Sequence, residues 1–290
     1  MTLPNGAARA GDLSTVRFYS PALARNWAYN VYLPEHYADG GLRYPVLFLL
    51  HGFGGNRDEW VEHGDIAGMA DRLIAAGDIP PCIIVMPSAG RSWYLDGTED
   101  METAIIRDLI PEIDSRFRTI SRRDGRLIAG ESMGGYGALR FILKYPELFS
   151  AGALLSPAIY VPEPPPKSGA RLSPVFARDG RFDPAIWIAN DYPALLKPFL
   201  ARGIEVPLYL GVGNLDELNI GYHMAKLYVI WRGHGWSTRY RVAVGRHDFI
   251  VWRKLMPGAL TFIFHSVHRP ERGTDSKDGA PPQTPLRASP

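Results

Sequence analysis

The 290-residue chain holds a single cysteine, Cys82, so no disulfide can close within it and an apolar core must carry the fold. Cys82 lies in the apolar run "PPCIIVMP", which reads as a buried strand position rather than a reactive thiol. No sign of charge dominates. The 32 basic and 30 acidic side chains leave a net charge of +2, which gives neither nucleic acid nor an anionic membrane surface an electrostatic foothold. No apolar run approaches the ~20 residues that cross a bilayer. The opening residues, "MTLPNGAARAGDLSTV", lack the basic start and apolar stretch of a secretory signal, so the expected location is the cytoplasm. No His, Cys and Asp cluster has metal-ligand spacing and no G-x-G-x-x-G follows a strand, so neither a metal nor a cofactor is expected.

What the chain does have is an apolar content of 46% against 21% charged residues, enough for a sizeable core. "STVRFYS" and "NWAYNVYLP" (26–34) alternate apolar and polar residues, as two antiparallel strands would. "RYPVLFLLHG" (43–52) is apolar without alternation, the pattern of a strand covered on both faces. The same pattern recurs at 80–88, 126–130, 151–157 and 206–213. Between these runs lie stretches of helical period at 66–77, 101–117 and 136–146. Strand and helix therefore alternate in an α/β arrangement with a doubly wound, mostly parallel sheet. One domain is expected over 16–267, preceded by a flexible leader at 1–15. Residues 157–193 are proline-rich and read as an irregular excursion above the sheet's carboxyl edge. Residues 268–290 read as a disordered tail.

Residues 130–137, "GESMGGYG", place Ser132 in a G-x-S-x-G pattern between a short apolar strand and a helix. Composition alone would produce such a pattern in about one chain of this make-up in six, so its context has to give it meaning. In a tight strand-to-helix turn a side chain two residues either side of the serine would clash, which calls for Gly130 and Gly134. The hydroxyl then stands at the sheet edge, beside the N–H groups of a helix start.

A serine hydroxyl needs a base within hydrogen-bond reach, and the base needs an acid to orient it. Five histidines follow Ser132. His223 and His234 fall in or beside a helical stretch, His265 in an apolar run and His268 at the start of the tail. His247, in "VAVGRHDFIVW", follows a strand and a glycine and is the candidate base. "VPLYLGVGNLDELN" offers Asp216 as the acid, with Glu217 as its rival and Asp191 and Asp248 as weaker choices. Donors for a tetrahedral oxyanion would be the N–H of Met133 and, from the glycine-rich "HGFGGNRDEW", that of Phe53, with Gly54 an alternative. Trp93, Tyr94, Trp187 and Tyr160 are candidate walls of an aromatic pocket, or else core.

The stretches "YNVYLP", "YPVLFLLHGFGGNRDEW", "SWYLDG", "GESMGGYGALRFILKYPELF", "GVGNLDEL" and "GRHDFIVW" run in order from about residue 16 to 265. Together they resemble the α/β-hydrolase family of esterase D, tributyrin-type carboxylesterases, feruloyl and acetyl-xylan esterases, S-formylglutathione hydrolase and mycolyltransferases. The resemblance implies an α/β-hydrolase fold with antiparallel N-terminal strands. It also implies Ser132 as nucleophile, Asp216 as acid and His247 as base, with an oxyanion hole at Phe53 and Met133. The implied partner is a small-molecule ester and the implied activity is that of a serine carboxylesterase on short-chain or aromatic esters. An acyltransferase and an S-formylglutathione hydrolase are the alternatives. "SWYLDG" and "GESMGGYGAL" look closest to the tributyrin-type subgroup. S-formylglutathione hydrolases carry a conspicuous loop cysteine, and Cys82 does not lie there. The sequence gives no oligomeric state.

Overall fold

The computed structural model describes residues 11–265 and 267–272. Its strands, in chain order, are β1 (Asp12–Ser20), β2 (Arg25–Leu33), β3 (Leu42–Arg43), β4 (Val46–Leu50), β5 (Ile83–Pro87), β6 (Arg126–Glu131), β7 (Ala151–Leu155), β8 (Ala177–Arg178), β9 (Arg181–Phe182), β10 (Leu208–Gly213), β11 (Thr238–Ala243) and β12 (Glu271–Arg272). Eight of them form one sheet in the order β1-β2-β5-β4-β6-β7-β10-β11. β1 pairs antiparallel with β2, and β2 with β5. Every later pair in the sheet is parallel.

The apolar runs read from the sequence are the central strands. Every residue of β4, β5, β6, β7 and β10 is buried, because helices cover both sheet faces. The two-residue period of a strand splits β4 between two cores. Val46, Phe48 and Leu50 point into one, Leu47 and Leu49 into the other. The helices are α1 (Glu59–Glu62), α2 (Ile66–Ala75), α3 (Met101–Thr103), α4 (Ile110–Arg116), α5 (Met133–Lys144), α6 (Pro184–Asn190), α7 (Tyr192–Leu200), α8 (Ile220–Gly233) and α9 (Phe249–Phe264). A π-helical stretch, Ala104–Leu109, joins α3 to α4. The face holding Phe48 is covered by side chains of α4, α5 and α8, and the other by side chains of α2 and α9. Among the described residues no helix is long and apolar enough to cross a membrane.

Two expectations need correction. The excursion at 157–193 is not irregular: it contains the β8–β9 hairpin and all of α6, and ends at the start of α7. Its prolines misled because Pro184 and Pro193 stand in the first turns of α6 and α7, where the missing N–H costs no helical hydrogen bond. Asp183 caps α6, its carboxylate accepting from the Ala185 N–H at 2.8 Å. The domain edges also differ. Strand β1 begins at Asp12, inside the expected leader, and Glu271–Arg272 pair with Leu42–Arg43, inside the expected tail. Residues 1–10 and 273–290, the rest of those two segments, lie outside the described residues.

One buried ionic group ties the helix behind Ser132 to the neighbouring α3. Glu102, 4% exposed, accepts from Arg140 Nε at 2.9 Å and Tyr145 Oη at 2.7 Å, and pairs with Lys144. Burial pushes the Glu102 carboxyl pKa up, but Arg140, Lys144 and Tyr145 outweigh it and hold the pKa below the ordinary value. Stability from this group is therefore complete above the unfolded pKa and is lost as pH falls through the depressed folded one. Glu102→Gln should cost about 3 kcal/mol at pH 7 by leaving Arg140 without its counter-charge. The deficit should narrow in acid, where wild type loses the same charge. Urea unfolding of both proteins at pH 7 and pH 3 measures it.

Candidate active site

Parallel strands deliver their following loops to one edge, so the residues after β4, β6, β10 and β11 meet there. Ser132 is the single residue between β6 and α5, with φ 52° and ψ −116°. That left-handed backbone is costly for a residue with a Cβ and persists only where its surroundings impose it. Here the Ser132 N–H donates to the Leu155 carbonyl at 2.9 Å, and the Ser132 carbonyl accepts from Tyr136 at 3.0 Å and Ala158 at 2.9 Å. The two glycines work sterically. A Cβ on Gly130 would lie 2.4 Å from the Gly134 carbonyl carbon, and one on Gly134 would lie 2.4 Å from the Leu50 carbonyl oxygen.

The serine hydroxyl meets one histidine. His247 Nε2 stands 2.9 Å from Ser132 Oγ, and its Nδ1 stands 2.8 Å from Asp216 Oδ2. The Asp216 side chain is 2% exposed, and its other oxygen accepts from the Leu218 N–H at 3.1 Å. A carboxylate only accepts, so Nδ1 carries the imidazole proton and Nε2 is left to accept from the serine. The imidazole edge packs against Trp252 at 5.2 Å between ring centroids, and the Trp252 indole donates to Ser156 Oγ at 3.2 Å.

The rival residues stand elsewhere. Glu217 is exposed. Asp248 caps α9 through the Val251 N–H at 3.1 Å. Asp191 is buried at the start of α7, and burial pushes its pKa up to about 8. His223 accepts from the Val161 N–H at 3.1 Å, His234 and His265 end helices, and His268 pairs with Asp124 and Glu271.

The loop after β4 runs beside Ser132. The Gly54 N–H is spent on the Gly90 carbonyl at 2.9 Å, which removes it as a free donor. Among the described residues the Phe53 N–H meets no acceptor. Met133 opens α5, so its N–H precedes the first helical acceptor. His51 holds the start of the loop. Its Nε2 accepts from the Ala89 N–H at 2.7 Å, its Nδ1 donates to the Gly52 carbonyl at 2.7 Å, and burial lowers its pKa to about 4. It is a neutral structural imidazole.

The aromatic candidates are packed away. Trp93, Tyr94, Tyr160 and Trp187 are each at most 1% exposed. The Tyr94 hydroxyl donates to the His51 carbonyl at 2.9 Å, and the Trp187 indole to the Tyr160 carbonyl at 2.9 Å. Trp93 packs edge-on against Tyr136, Phe176 and Trp187, with centroids 5.3 to 5.7 Å away. These rings fasten the 157–193 segment to α5, and no open wall is built from them. Aromatic residues after a strand give the same sequence signal in either role. The half-buried Phe53 ring, in the loop after β4, lies 6.1 Å from Trp93 and beneath the Arg91 guanidinium at 5.3 Å.

The fold is that of the α/β-hydrolases, and the solved structure of a ferulic acid esterase superposes with a TM-score of 0.73 at 27% identity, covering 88% of this chain and 98% of that one. Residues 20–263 match the family model described as "Putative esterase", and the chain belongs to that family of esterases. An acetyl esterase of Caldicellulosiruptor saccharolyticus is 28% identical over 86% of this chain and 96% of its own length. An endo-1,4-beta-xylanase/feruloyl esterase of Xylanibacter ruminicola is 37% identical over 53% of this chain but only 22% of its own length, so the likeness spans about a fifth of that protein.

The elbow sterics give a direct expectation. Gly134→Ala should displace the turn against Leu50, lowering kcat/KM on a chromogenic ester about 100-fold or more while costing about 2 kcal/mol of stability. Initial rates and a thermal melt on the same preparation check both.

Proposed function

We propose that this protein is a serine carboxylesterase working through an acyl-enzyme, with Ser132 as nucleophile, His247 as base and Asp216 as the orienting acid. The observation that carries the reading is the continuous hydrogen-bonded chain Ser132–His247–Asp216, at 2.9 and 2.8 Å, on a serine with left-handed backbone. His247 Nε2 takes the hydroxyl proton as Oγ adds to the ester carbonyl. Asp216 balances the imidazolium that forms. The tetrahedral oxyanion is met by the N–H groups of Phe53 and Met133, each donor being worth about 3 kcal/mol in the transition state. His247 then gives its proton to the departing alcohol. Water enters by the same base and releases the acid.

Short-chain and aromatic esters are the proposed substrates. The half-buried Phe53 ring in the loop after β4 supports this, as do relatives named for acetyl and feruloyl esters.

Ser132→Ala should reduce kcat/KM on p-nitrophenyl acetate or butyrate by about 10⁴-fold or more with its melting temperature kept. Near-wild-type turnover would remove the reading. Asp216→Asn should cost about 10³- to 10⁴-fold, and the exposed Glu217→Gln about twofold or less; the reverse order would make Glu217 the acid. Comparing methyl ferulate with the acetyl and butyryl esters separates aromatic from short-chain acyl preference.

A further inference from the structure

Between the nucleophile strand and the glycine-rich loop lies a group that the proposed mechanism does not use. Glu131 immediately precedes Ser132, is 1% exposed, and neither of its carboxyl oxygens makes a well-formed hydrogen bond among the described residues, the Gly52 N–H lying nearby without the geometry of one. Both oxygens press on the loop that carries Phe53. A Cβ on Gly52 would lie 2.6 Å from one and 2.7 Å from the other. At the loop's other end a Cβ on Gly55 would lie within van der Waals overlap of Glu59, whose Oε2 is also buried without a partner. Two carboxyls thus bracket one four-residue loop, one from β6 and one from α1.

A buried carboxylate short of hydrogen bonds and of a counter-charge is far costlier in a protein interior than a carboxylic acid. Among the described residues, the groups that act on it supply no positive charge. Glu59 comes from α1. His51, at the end of β4, is neutral. Tyr94, from the loop after β5, donates to the His51 carbonyl. His63, after α1, acts on Glu59. Burial first, then the neighbouring Glu59, pushes the Glu131 pKa well up, and the Gly52 N–H only partly offsets this. Glu59 is raised too, by burial above all.

We infer that Glu131 is a positioning residue: as a neutral acid wedged against Gly52, it locks the oxyanion loop to the nucleophile strand. The inference rests on the esterase reading, since it assigns Glu131 a place in that reaction. Neutrality serves the chemistry as well as the packing. A negative charge one residue from the nucleophile would oppose the anion that forms on the substrate. A wedge of this kind fixes where the Phe53 N–H points, so its loss should be felt in turnover more than in substrate binding.

The test uses Glu131→Gln, which keeps shape and neutrality, beside Glu131→Ala, which keeps neither contact nor volume, with Ser132→Ala as control. At pH 7 the Gln variant should stay within about threefold of wild-type kcat, and the Ala variant should lose about 30-fold or more in kcat with KM within about threefold. A second readout needs no activity. A carboxyl whose folded pKa is raised gives stability that is complete below its unfolded pKa, about 4.5, and is lost as pH rises toward the folded value. Glutamine does not titrate. The melting temperature of Glu131→Gln relative to wild type should therefore climb by about 5 °C or more from pH 4.5 to pH 8. A difference that stays flat with pH, or a Gln variant as slow as the Ala variant, would overturn the proposal. Should Glu131→Ala fail to fold, the Gln variant and the pH series still decide. An active Ser132→Ala would instead bring down the esterase reading, leaving the pH-dependent melting as a separate result.

Discussion

The structure turns on the backbone of one residue. Ser132 sits at φ 52° because the chain must pass from β6 into α5 with nothing between them. The register of three parallel strands holds it there. Leu50 lies opposite Gly130, Glu131 lies opposite Leu155, and the Leu155 carbonyl takes the Ser132 N–H. The strain is local, and the hydrogen bonds that offset it belong to the whole sheet. With those strands in register, the serine hydroxyl, the helix start and the loop after β4 all arrive at one edge.

Around that edge the protein keeps its buried titratable groups uncharged. His51 is neutral under burial, and its two ring nitrogens are satisfied by the Ala89 N–H and the Gly52 carbonyl. Tyr94 is buried with its hydroxyl on the His51 carbonyl, its pKa pushed well up by burial first. Among the described residues, buried charges with partners include Glu102 with Arg140 and Lys144, Arg126 with Asp114, and Asp216 with the His247 ring. A low-dielectric region without stray charge is where backbone N–H dipoles act most strongly on a developing anion.

Much of the fold could be read from the sequence because a doubly covered parallel strand leaves an unbroken apolar run. β4, β5, β6, β7 and β10 all carry that mark. The positions of Ser132, Asp216 and His247 were legible as loop residues after strands, and the structure brings those three side chains together. What could not be read depended on context. Pro184 looks like a breaker until Asp183 is seen to cap the helix it begins. Trp93 and Trp187 look the same in sequence whether they line a cleft or close a core. Glu131 sat in plain view inside "GESMGG", but only its burial and its want of well-formed hydrogen bonds among the described residues distinguish it from a solvated residue.

The Ser132–His247 contact spans 115 residues of chain, and the His247–Asp216 contact spans 31. The three side chains follow strands β6, β10 and β11, and β11 is an edge strand of the sheet and the last of its eight strands in chain order. Closing loops of that length costs entropy that local contacts do not repay, which favours a late place in folding for these contacts. A chain with its N-terminal half complete would own Ser132 and the loop after β4 but neither Asp216 nor His247. On the proposed triad, esterase activity appearing during refolding would time the docking of β11 and of the loop that carries His247, making the hydrolysed ester a clock for that step of assembly.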